Sequence, residues 1–464
     1  MSAQRENKRE GDGYDMLQFT ESSPLPPLTS QLNNGLLRSR APWPDFPSSS
    51  SAKQGHLGSI NSAACMEQLL AHCAYAIESN DATLAQQILW VLHNIAPPDG
   101  DSNQRLTAAF LRALVLRASS SGSSSPSFAA LASTISSSST ASPTPSPLLS
   151  PVSLAAFVDL TPWHRFGFTA ANSAIADATD GFPVVHIVDL TTTHCMQLPT
   201  LIDTIAARRP DDPPFIRLTV PTPYQNSPPP SLDISLDELG SRLVTFARSR
   251  NIKMDFRVVP SSPADGFNSL FQHLRIQQLV AAEALVVNCH MIPHYIPDED
   301  TSASCCGLPP RTAFLKALRS LDPIAVVVVD EDADFTAGDV VTRLRAAFNY
   351  LWIPFDTVDT FLPRGSEQRR RFEAAVFWKI ENTIACEGVQ RVERLEPRSR
   401  WVQRLRAAGF RAVGFSEDTA VEVKTMLDEH SAGWGMKRDD ESMVLTWKGH
   451  DVVFASAWIP SSVS

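Results

Sequence analysis

The sequence lacks the features that mark secreted, membrane-spanning and zinc-stapled proteins. Its seven cysteines are an odd number among 464 residues, and no two of them form a C-x-x-C pair. This scatter argues against a disulfide framework and against a structural zinc site. No run approaches the ~18 apolar residues that a bilayer span needs, and the opening MSAQRENKRE has no apolar signal region. We therefore expect a soluble, unsecreted chain without a membrane partner.

Positive charge is also scarce. Forty Lys and Arg against fifty Asp and Glu give a net charge of −10, so DNA contact needs a local basic patch. Seven arginines stand against two glutamates between Arg391 and Arg411. An internal network with Glu387, Glu393 and Glu396 is the alternative that we favour. The DNA-contact candidates are Arg391, Arg394, Arg398, Arg400 and Arg404.

Composition divides the chain into four parts. Residues 1–60 are rich in Pro and Ser with little periodicity, which predicts a disordered arm because burial cannot offset the entropy of ordering it. Apolar residues at helical spacing predict three helices, a helical cap, in 61–118. Ser, Thr, Ala and Pro dominate 119–151, which predicts a flexible insertion. The remainder, 152–460, is expected to form the core.

Apolar β-rich runs alternate with helical patterns after the insertion, which predicts a parallel sheet with helices on both faces. These runs are 184–188, 215–220, 254–259, 284–288 and 324–330. At the C-terminus, SMVLTW and VVFASAW flank KGHD and predict an antiparallel hairpin. The expected fold is α/β: a methyltransferase-like (Rossmann-type), doubly wound, mostly parallel sheet with a C-terminal antiparallel hairpin, plus an N-terminal α-helical cap.

This outline raises the question of an S-adenosylmethionine-dependent methyltransferase or another small-molecule-binding enzyme, which stays the alternative function. Methyl-donor and dinucleotide sites need glycines after the first strand, because only a bare backbone approaches the ligand closely. Here Asp189 is followed by Leu190, three threonines, His194 and Cys195. Adjacent β-branched residues resist positive φ, so the tight turn is disfavoured. We therefore expect no cofactor.

Other polar groups also lack the spacing of a catalytic or metal site. DEDAD at 330–334 is either an acidic cluster or a solvated loop, and we favour the loop because no His or Cys with ligand spacing lies beside it. His290 and His294 are four residues apart, but Pro293 precludes the regular helix that a zinc site would use. No G-x-S-x-G, P-loop or H-E-x-x-H is present. We predict no catalytic and no metal residues.

Five blocks between about residues 61 and 460 resemble the GRAS family, plant transcriptional regulators related to SCARECROW and the DELLA proteins. VVHIVDL, with His186 and Asp189, resembles the family's VHIID motif. The segments from MEQLLAHC and from FVDLTPWHRF resemble the first leucine-rich region and the stretch before the central motif. The block RRRFEAAVFWKIENTIACEGVQRVERLEP, with Glu387, Arg391 and Arg394, resembles the end of the PFYRE region. RWVQRLRAAGF and the final block with Trp434, Trp447 and Trp458 resemble the SAW region.

The resemblance implies a non-catalytic methyltransferase-like core and a nuclear role in transcription during plant development. Within the family the chain is most similar to SCARECROW-like proteins. Contacts with zinc-finger DNA-binding proteins and with other GRAS proteins are implied, while direct DNA contact stays open. The family's Gln-Gly-x-Gln-Trp after the central acid is replaced by TTTHCMQLP, which has neither glycine nor tryptophan.

The helical cap is the expected partner-binding region. If the apolar stripe of the second helix faces outward, it presents a ridge for a partner helix; if it faces inward, it is core. Deletion of 61–118 is then expected to abolish association and to leave a residual folded core. The tryptophans near the C-terminus are expected to fill core. The partner-binding candidates are Leu84, Ile88, Leu92 and Ile95.

Overall fold

The computed structural model describes residues 63–120, 148–222, 227–278, 283–298 and 308–461. The predicted arm at 1–60 and most of the predicted insertion at 119–151 lie outside these ranges. The helices are α1 (Ala63–Glu78), α2 (Ala82–Ile95), α3 (Ser102–Ser120), α4 (Pro151–Val158), α5 (Pro162–Ala178), α6 (Leu198–Arg208), α7 (Leu236–Ser249), α8 (Asn268–Gln278), α9 (Pro310–Arg319), α10 (Val340–Asp359), α11 (Glu367–Ala385), α12 (Arg398–Ala407) and α13 (Glu417–Asp428).

Short polar side chains fix where several of these helices begin. The Asp81 carboxylate accepts the backbone N–H of Leu84 at 3.1 Å and opens α2. The Ser235 hydroxyl accepts the N–H of Glu238 at 3.2 Å and opens α7. Such caps satisfy backbone donors that the first helical turn leaves without partners.

The strands form one sheet in the order β3-β2-β1-β4-β5-β9-β8-β7, with β6 paired to β9. Strands β1 to β5 run parallel, whereas β9 is antiparallel to β5, β6 and β8. This arrangement confirms the predicted fold class. The strands are β1 (Val184–Thr191), β2 (Phe215–Pro221), β3 (Met254–Val259), β4 (Ala284–His290), β5 (Ala325–Glu331), β6 (Phe410–Val413), β7 (Trp434–Arg438), β8 (Met443–Trp447) and β9 (His450–Pro460).

Burial explains the sequence pattern of these strands. Every residue of β4 and β5 is buried, because helices cover both faces of the sheet, and both strands therefore read as nearly continuous apolar runs. The hairpin between β8 and β9 turns at Lys448 and Gly449, whose φ angles are 48° and 87°. Two successive left-handed residues match the twist that a two-residue hairpin loop requires.

The helical cap shares the main hydrophobic core. Leu70, Phe110 and Leu114 of the cap belong to one buried cluster with Ile187 of β1 and Phe348 of α10. Helix α3 packs directly on α10 and α11. The cap is therefore continuous with the core on this side of the sheet, and the expectation that 152–460 keeps a folded core of its own loses its physical basis.

No helix in the described ranges combines the length and hydropathy needed to cross a bilayer.

Candidate functional site

The loop after β1 lies at the carboxyl edge of the sheet, where nucleotides bind in related folds. Thr191 to Thr193 lead into a turn in which His194 and Cys195 have φ angles of 49° and 61°. The expectation that a tight turn is disfavoured here was therefore wrong. The left-handed residues follow the threonines, and neither carries the β-branch that makes positive φ costly.

Asp189 is the anchor of a buried polar network behind this turn. The Asn288 amide donates to Asp189 Oδ1 at 2.7 Å and to Gln197 Oε1 at 2.9 Å. Gln197 in turn donates to Asn172 at 3.0 Å, and the Cys195 thiol also bonds Asp189. Burial raises the pKa of Asp189 to about 6, although both donors oppose the rise. Sequence reasoning missed Gln197 and Asn288, whose positions become meaningful only when α6 and β4 meet β1.

This network leaves little room directly beside Asp189, where a methyl donor would bind. The cavity lined by Asp189, His194, Cys195 and Pro221 measures about 50 Å³, whereas small-molecule sites occupy roughly 300–1,000 Å³. A wider cavity of about 590 Å³ lies next to it, lined by His194, Thr222 and Leu236 and not by Asp189.

His186 bridges three elements at the centre of the sheet. Its Nε2 lies 2.8 Å from the Thr219 hydroxyl of β2, and its Nδ1 lies 3.2 Å from a carboxylate oxygen of Glu283. Burial, reinforced by the Arg217 guanidinium, lowers the pKa of His186 to about 4. The imidazole is therefore neutral at physiological pH and holds β1, β2 and the start of β4 together.

The acidic residues at the end of β5 are not a solvated loop, contrary to the favoured interpretation. Asp330 and Glu331 are the last two residues of β5 and are buried. Polar side chains from other elements surround them. His294 Nδ1 lies 2.6 Å from Asp330 Oδ1, and the Trp163 indole donates to Glu331 at 2.9 Å. Lys379 of α11 also contacts Glu331.

Lys379 is the central cation of this cluster, and its Nζ also lies 3.4 Å from Glu393. Burial works to lower the pKa of Lys379, but the carboxylates of Glu331 and Glu393 outweigh it and raise that pKa. Glu331 shows the reciprocal effect, since burial opposes ionisation but Lys379 holds the pKa of the carboxyl below its ordinary value. The cluster therefore keeps ionised groups inside the protein.

The two histidines with helical spacing contact different partners. His290 Nε2 lies 3.3 Å from His164 Nδ1, whereas His294 contacts Asp330. Burial lowers the pKa of His164 to about 4 and that of His290 well below its ordinary value. Within the part of the chain that the structure describes, no three His, Cys, Asp or Glu side chains are arranged to hold a metal ion.

Two of the DNA-contact candidates are buried, which corrects their assignment. Arg391 and Arg394 are 4% and 3% exposed. Arg391 donates to the Phe335 carbonyl at 2.9 Å, and Arg394 pairs with Asp298 at 2.7 Å. Both guanidinium groups are therefore too deeply buried to contact the phosphates of bound DNA.

The other three candidates lie on α12 and pair with nearby carboxylates. Arg404 makes two 2.8 Å hydrogen bonds to Glu396, and Arg398 contacts Asp439. Arg400 Nη2 lies 3.5 Å from Asp334, but 43% of its side chain is exposed. Of the five arginines it is the most accessible to a phosphate.

Glu387 links the cap to the core at the end of α11. Its carboxylate pairs with Arg117 of α3 at 2.8 Å, with Arg343 of α10, and with Arg391 at 3.6 Å. Burial would raise the pKa of Glu387, but Arg343 and Arg117 hold it below its ordinary value. The carboxylate is thus ionised, and its ion pairs connect α3 of the cap with α10 of the core.

The partner-binding candidates on α2 face inward, which corrects that assignment too. Ile88 and Leu92 are buried, and Leu84 and Ile95 pack half-buried against the main core. Their stripe is apolar because it covers other helices. The most exposed large apolar side chains of the described cap residues are instead Tyr75 and Trp90, at 63% and 58% exposure. Trp90 was recognisable as a large aromatic off the buried stripe.

The C-terminal tryptophans lie in or against the core. Trp447 and Trp458 are fully buried, and Trp434 is half-buried with its ring centroid 4.8 Å from that of Trp447. The Trp447 indole donates to Asp356 of α10 at 2.7 Å. These contacts join the antiparallel strands to the helices on the cap side.

Comparison with known proteins shows which family this chain resembles. The model of the GRAS domain family matches residues 66–459. Scarecrow-like protein 32 of Arabidopsis thaliana is 56% identical over 397 residues, which are 85% of this chain and 93% of that protein. Protein SHORT-ROOT of the same plant is 31% identical over 408 residues, with 85% and 73% covered.

A solved structure shares the fold. The crystal structure of SCL7 in Oryza sativa matches with a TM-score of 0.66 and covers 85% of this chain and 99% of that one. At 22% identity, this likeness extends to the fold alone.

Proposed function

Because this chain belongs to the GRAS domain family, we propose that it regulates transcription in plant development, in the nucleus, as a co-regulator that binds other proteins. The names of its relatives, which include Scarecrow-like protein 32 and SHORT-ROOT, support a developmental role. The expected partners are zinc-finger DNA-binding proteins and other GRAS proteins.

The closed edge at Asp189 is the observation that carries the non-enzymatic part of this proposal. Asp189 is bonded by Asn288 and Cys195, and Gln197 accepts from Asn288 behind them, so internal contacts stand where a nucleotide would need free groups. A parallel sheet with such contacts supports the surfaces that bind other proteins and does not itself bind a substrate. The methyltransferase alternative needs a cavity several times larger than the one beside Asp189.

Partner contact is assigned to the outer face of the cap, where Tyr75 and Trp90 are exposed. Aromatic side chains are enriched at protein interfaces and often dominate their binding energy. Direct DNA contact is assigned a minor part, because internal ion pairs engage the α12 arginines and the net charge is −10.

Binding of the full chain to random duplex DNA, at several salt concentrations, tests the co-regulator proposal. We expect no sequence selection by the chain alone and recruitment to DNA when a zinc-finger partner is added. Sequence selection by the chain alone, with affinity that falls steeply with salt, would overturn the proposal.

The surface is tested by Trp90→Ala, with Phe182→Ala as the matched control. Phe182 is also exposed but lies outside the cap, between α5 and β1. We expect Trp90→Ala to weaken partner binding by roughly tenfold or more and Phe182→Ala to leave it unchanged. Equal binding by both variants, with unchanged circular dichroism, would exclude Trp90.

A further inference from the structure

A second cavity opens at the same edge of the sheet, on the side of β4 and β5. Its volume is about 130 Å³. The walls are apolar and include Leu154 of α4, Leu351 of α10, and Phe372 and Val376 of α11. Polar side chains of the buried cluster, among them His294, Lys379 and Glu393, line another part.

Two polar atoms in this lining make no hydrogen bond among the described residues: His294 Nε2, and Glu393 Oε2, whose ion pair with Lys379 Nζ is 3.4 Å long. Glu393 is fully buried, and its other oxygen accepts the Tyr295 hydroxyl at 2.7 Å. His294 is 1% exposed, and its Nδ1 contacts Asp330. Buried polar atoms without hydrogen bonds destabilise the folded state, so a bound group that donates to both atoms would be favourable here.

The geometry of the two atoms defines what that occupant offers. They lie 3.5 Å apart, beyond a good hydrogen bond. When a neutral His294 donates Nδ1–H to Asp330, its Nε2 is an acceptor and faces the acceptor Glu393 Oε2. A donor between them satisfies both.

Charge favours a cationic donor over a neutral one. The carboxylates of Asp330, Glu331 and Glu393 face Lys379 and His294, so negative charge remains in excess even when the imidazole is protonated. Uncompensated buried charge is costly, and an ammonium group offsets it.

We propose that this cavity binds a small amine: one apolar ring that packs against Phe372 and Val376, with an ammonium group that donates to Glu393 and His294. A cavity of about 130 Å³ is slightly smaller than the apolar cavity of about 150 Å³ that binds benzene, so the ammonium group fills the polar part of the cavity and the ring extends toward its opening. This site goes beyond the proposed regulatory function. It also adjoins the cap, because Glu373, next to Phe372 on α11, pairs with Arg105 of α3 at 3.1 Å.

Calorimetric titration of the full chain with benzylamine, benzyl alcohol and benzoate tests the proposal, since the three probes share a ring and differ in head-group charge. We expect saturable binding of benzylamine, roughly tenfold weaker binding of benzyl alcohol and none of benzoate. Benzoate binding as tight as benzylamine, or no saturable benzylamine binding at millimolar concentration, would overturn it.

Variants locate the binding. Ala375→Phe inserts a ring from a residue that lines the cavity, whereas Ala374→Phe places the same ring on the exposed side of α11. We expect the first to abolish benzylamine binding and the second to preserve it, while Glu393→Gln weakens it at least tenfold. Unchanged affinity in Ala375→Phe would show that the amine binds elsewhere. This pair decides the question even where Glu393→Gln fails to fold.

Discussion

Asp189 shows how a single buried residue makes the stability of the folded state depend on pH. Its pKa rises from an ordinary value of 3.8 to about 6, chiefly by burial. The folded state therefore favours the protonated form. The contribution of Asp189 to stability is complete below pH 3.8 and is lost as the pH rises through about 6.

Asp189→Asn is expected to gain stability relative to the natural protein as the pH rises. The amide keeps an oxygen for the Asn288 donor but carries no charge to bury. At roughly 1.4 kcal/mol per pH unit, the gain approaches about 3 kcal/mol above pH 6. Urea unfolding of both proteins from below pH 3.8 to well above pH 6 measures this difference, because the gain develops between these two pKa values. Exposed Asp211→Asn is the control, and a gain that does not vary with pH would contradict the argument.

Trp458→Ala is expected to lower the free energy of unfolding by about 3–5 kcal/mol. The side chain is fully buried, and its indole donates to Ser456 at 2.9 Å, so truncation leaves a cavity and removes one hydrogen bond of the Ser456 hydroxyl, which still donates to Val328. Thermal and urea unfolding check the value, with half-buried Trp434→Ala expected to cost less. Loss of transcriptional activity with unchanged thermal stability would refute a purely structural role.

The sequence predicted some of these residues well and others not at all. His186 and Asp189 stand in a recognisable strand, and the glutamates between the arginines predicted internal pairing. Lys379 and Glu331 are 48 positions apart, and Glu393 comes from a third segment. Nothing local indicates that such residues meet, because the side chain of Lys379 reaches the end of β5 and the segment before α12 only in the folded chain.

At the scale of elements, α3 is fastened to α10 and α11 by buried charge. Arg105 is 4% exposed and pairs with Asp359 at 2.8 Å and with Glu373 at 3.1 Å. Arg369 contacts the same two carboxylates. The pairs hold the cap helix in register against the core.

Arg105→Met is expected to cost about 3–5 kcal/mol, because it leaves buried carboxylates with one cation instead of two. Arg370→Met is the control, since Arg370 forms an exposed pair with Glu367 at 2.6 Å and water screens such a pair. Urea unfolding compares the two. Adding Glu373→Gln to Arg105→Met should recover part of the loss, and full additivity of the two changes would argue against a direct pair.

The alternation of strands and helices was predictable because period 2 and period 3.6 leave different apolar patterns. The turn at His194 and Cys195 was not, since positive φ is uncommon outside glycine and leaves no signature in these residue types. The direction of the α2 stripe was also open, because an apolar face reads alike whether a partner or a core covers it.

At the scale of the whole molecule, the carboxyl edge of the sheet has two different halves. Beside Asp189 the network with Asn288 and Gln197 leaves a cavity of about 50 Å³, whereas beside β5 a cavity of about 130 Å³ lies next to ionised groups. The larger of these two cavities therefore adjoins the ionised groups around Lys379 and not Asp189.

Removal of residues 61–118 is expected to destroy cooperative folding instead of releasing a stable core. Leu70, Phe110 and Leu114 lie in the same buried cluster as Phe348 and Leu351, so truncation exposes a large apolar surface of the kind that promotes aggregation. Size-exclusion chromatography and thermal unfolding measure this. Removal of 1–60, which precedes α1, is the control and should leave the transition intact. A monomeric truncation with a sharp transition would instead make the cap a separable binding module, and loss of partner binding in it would then report on contacts alone.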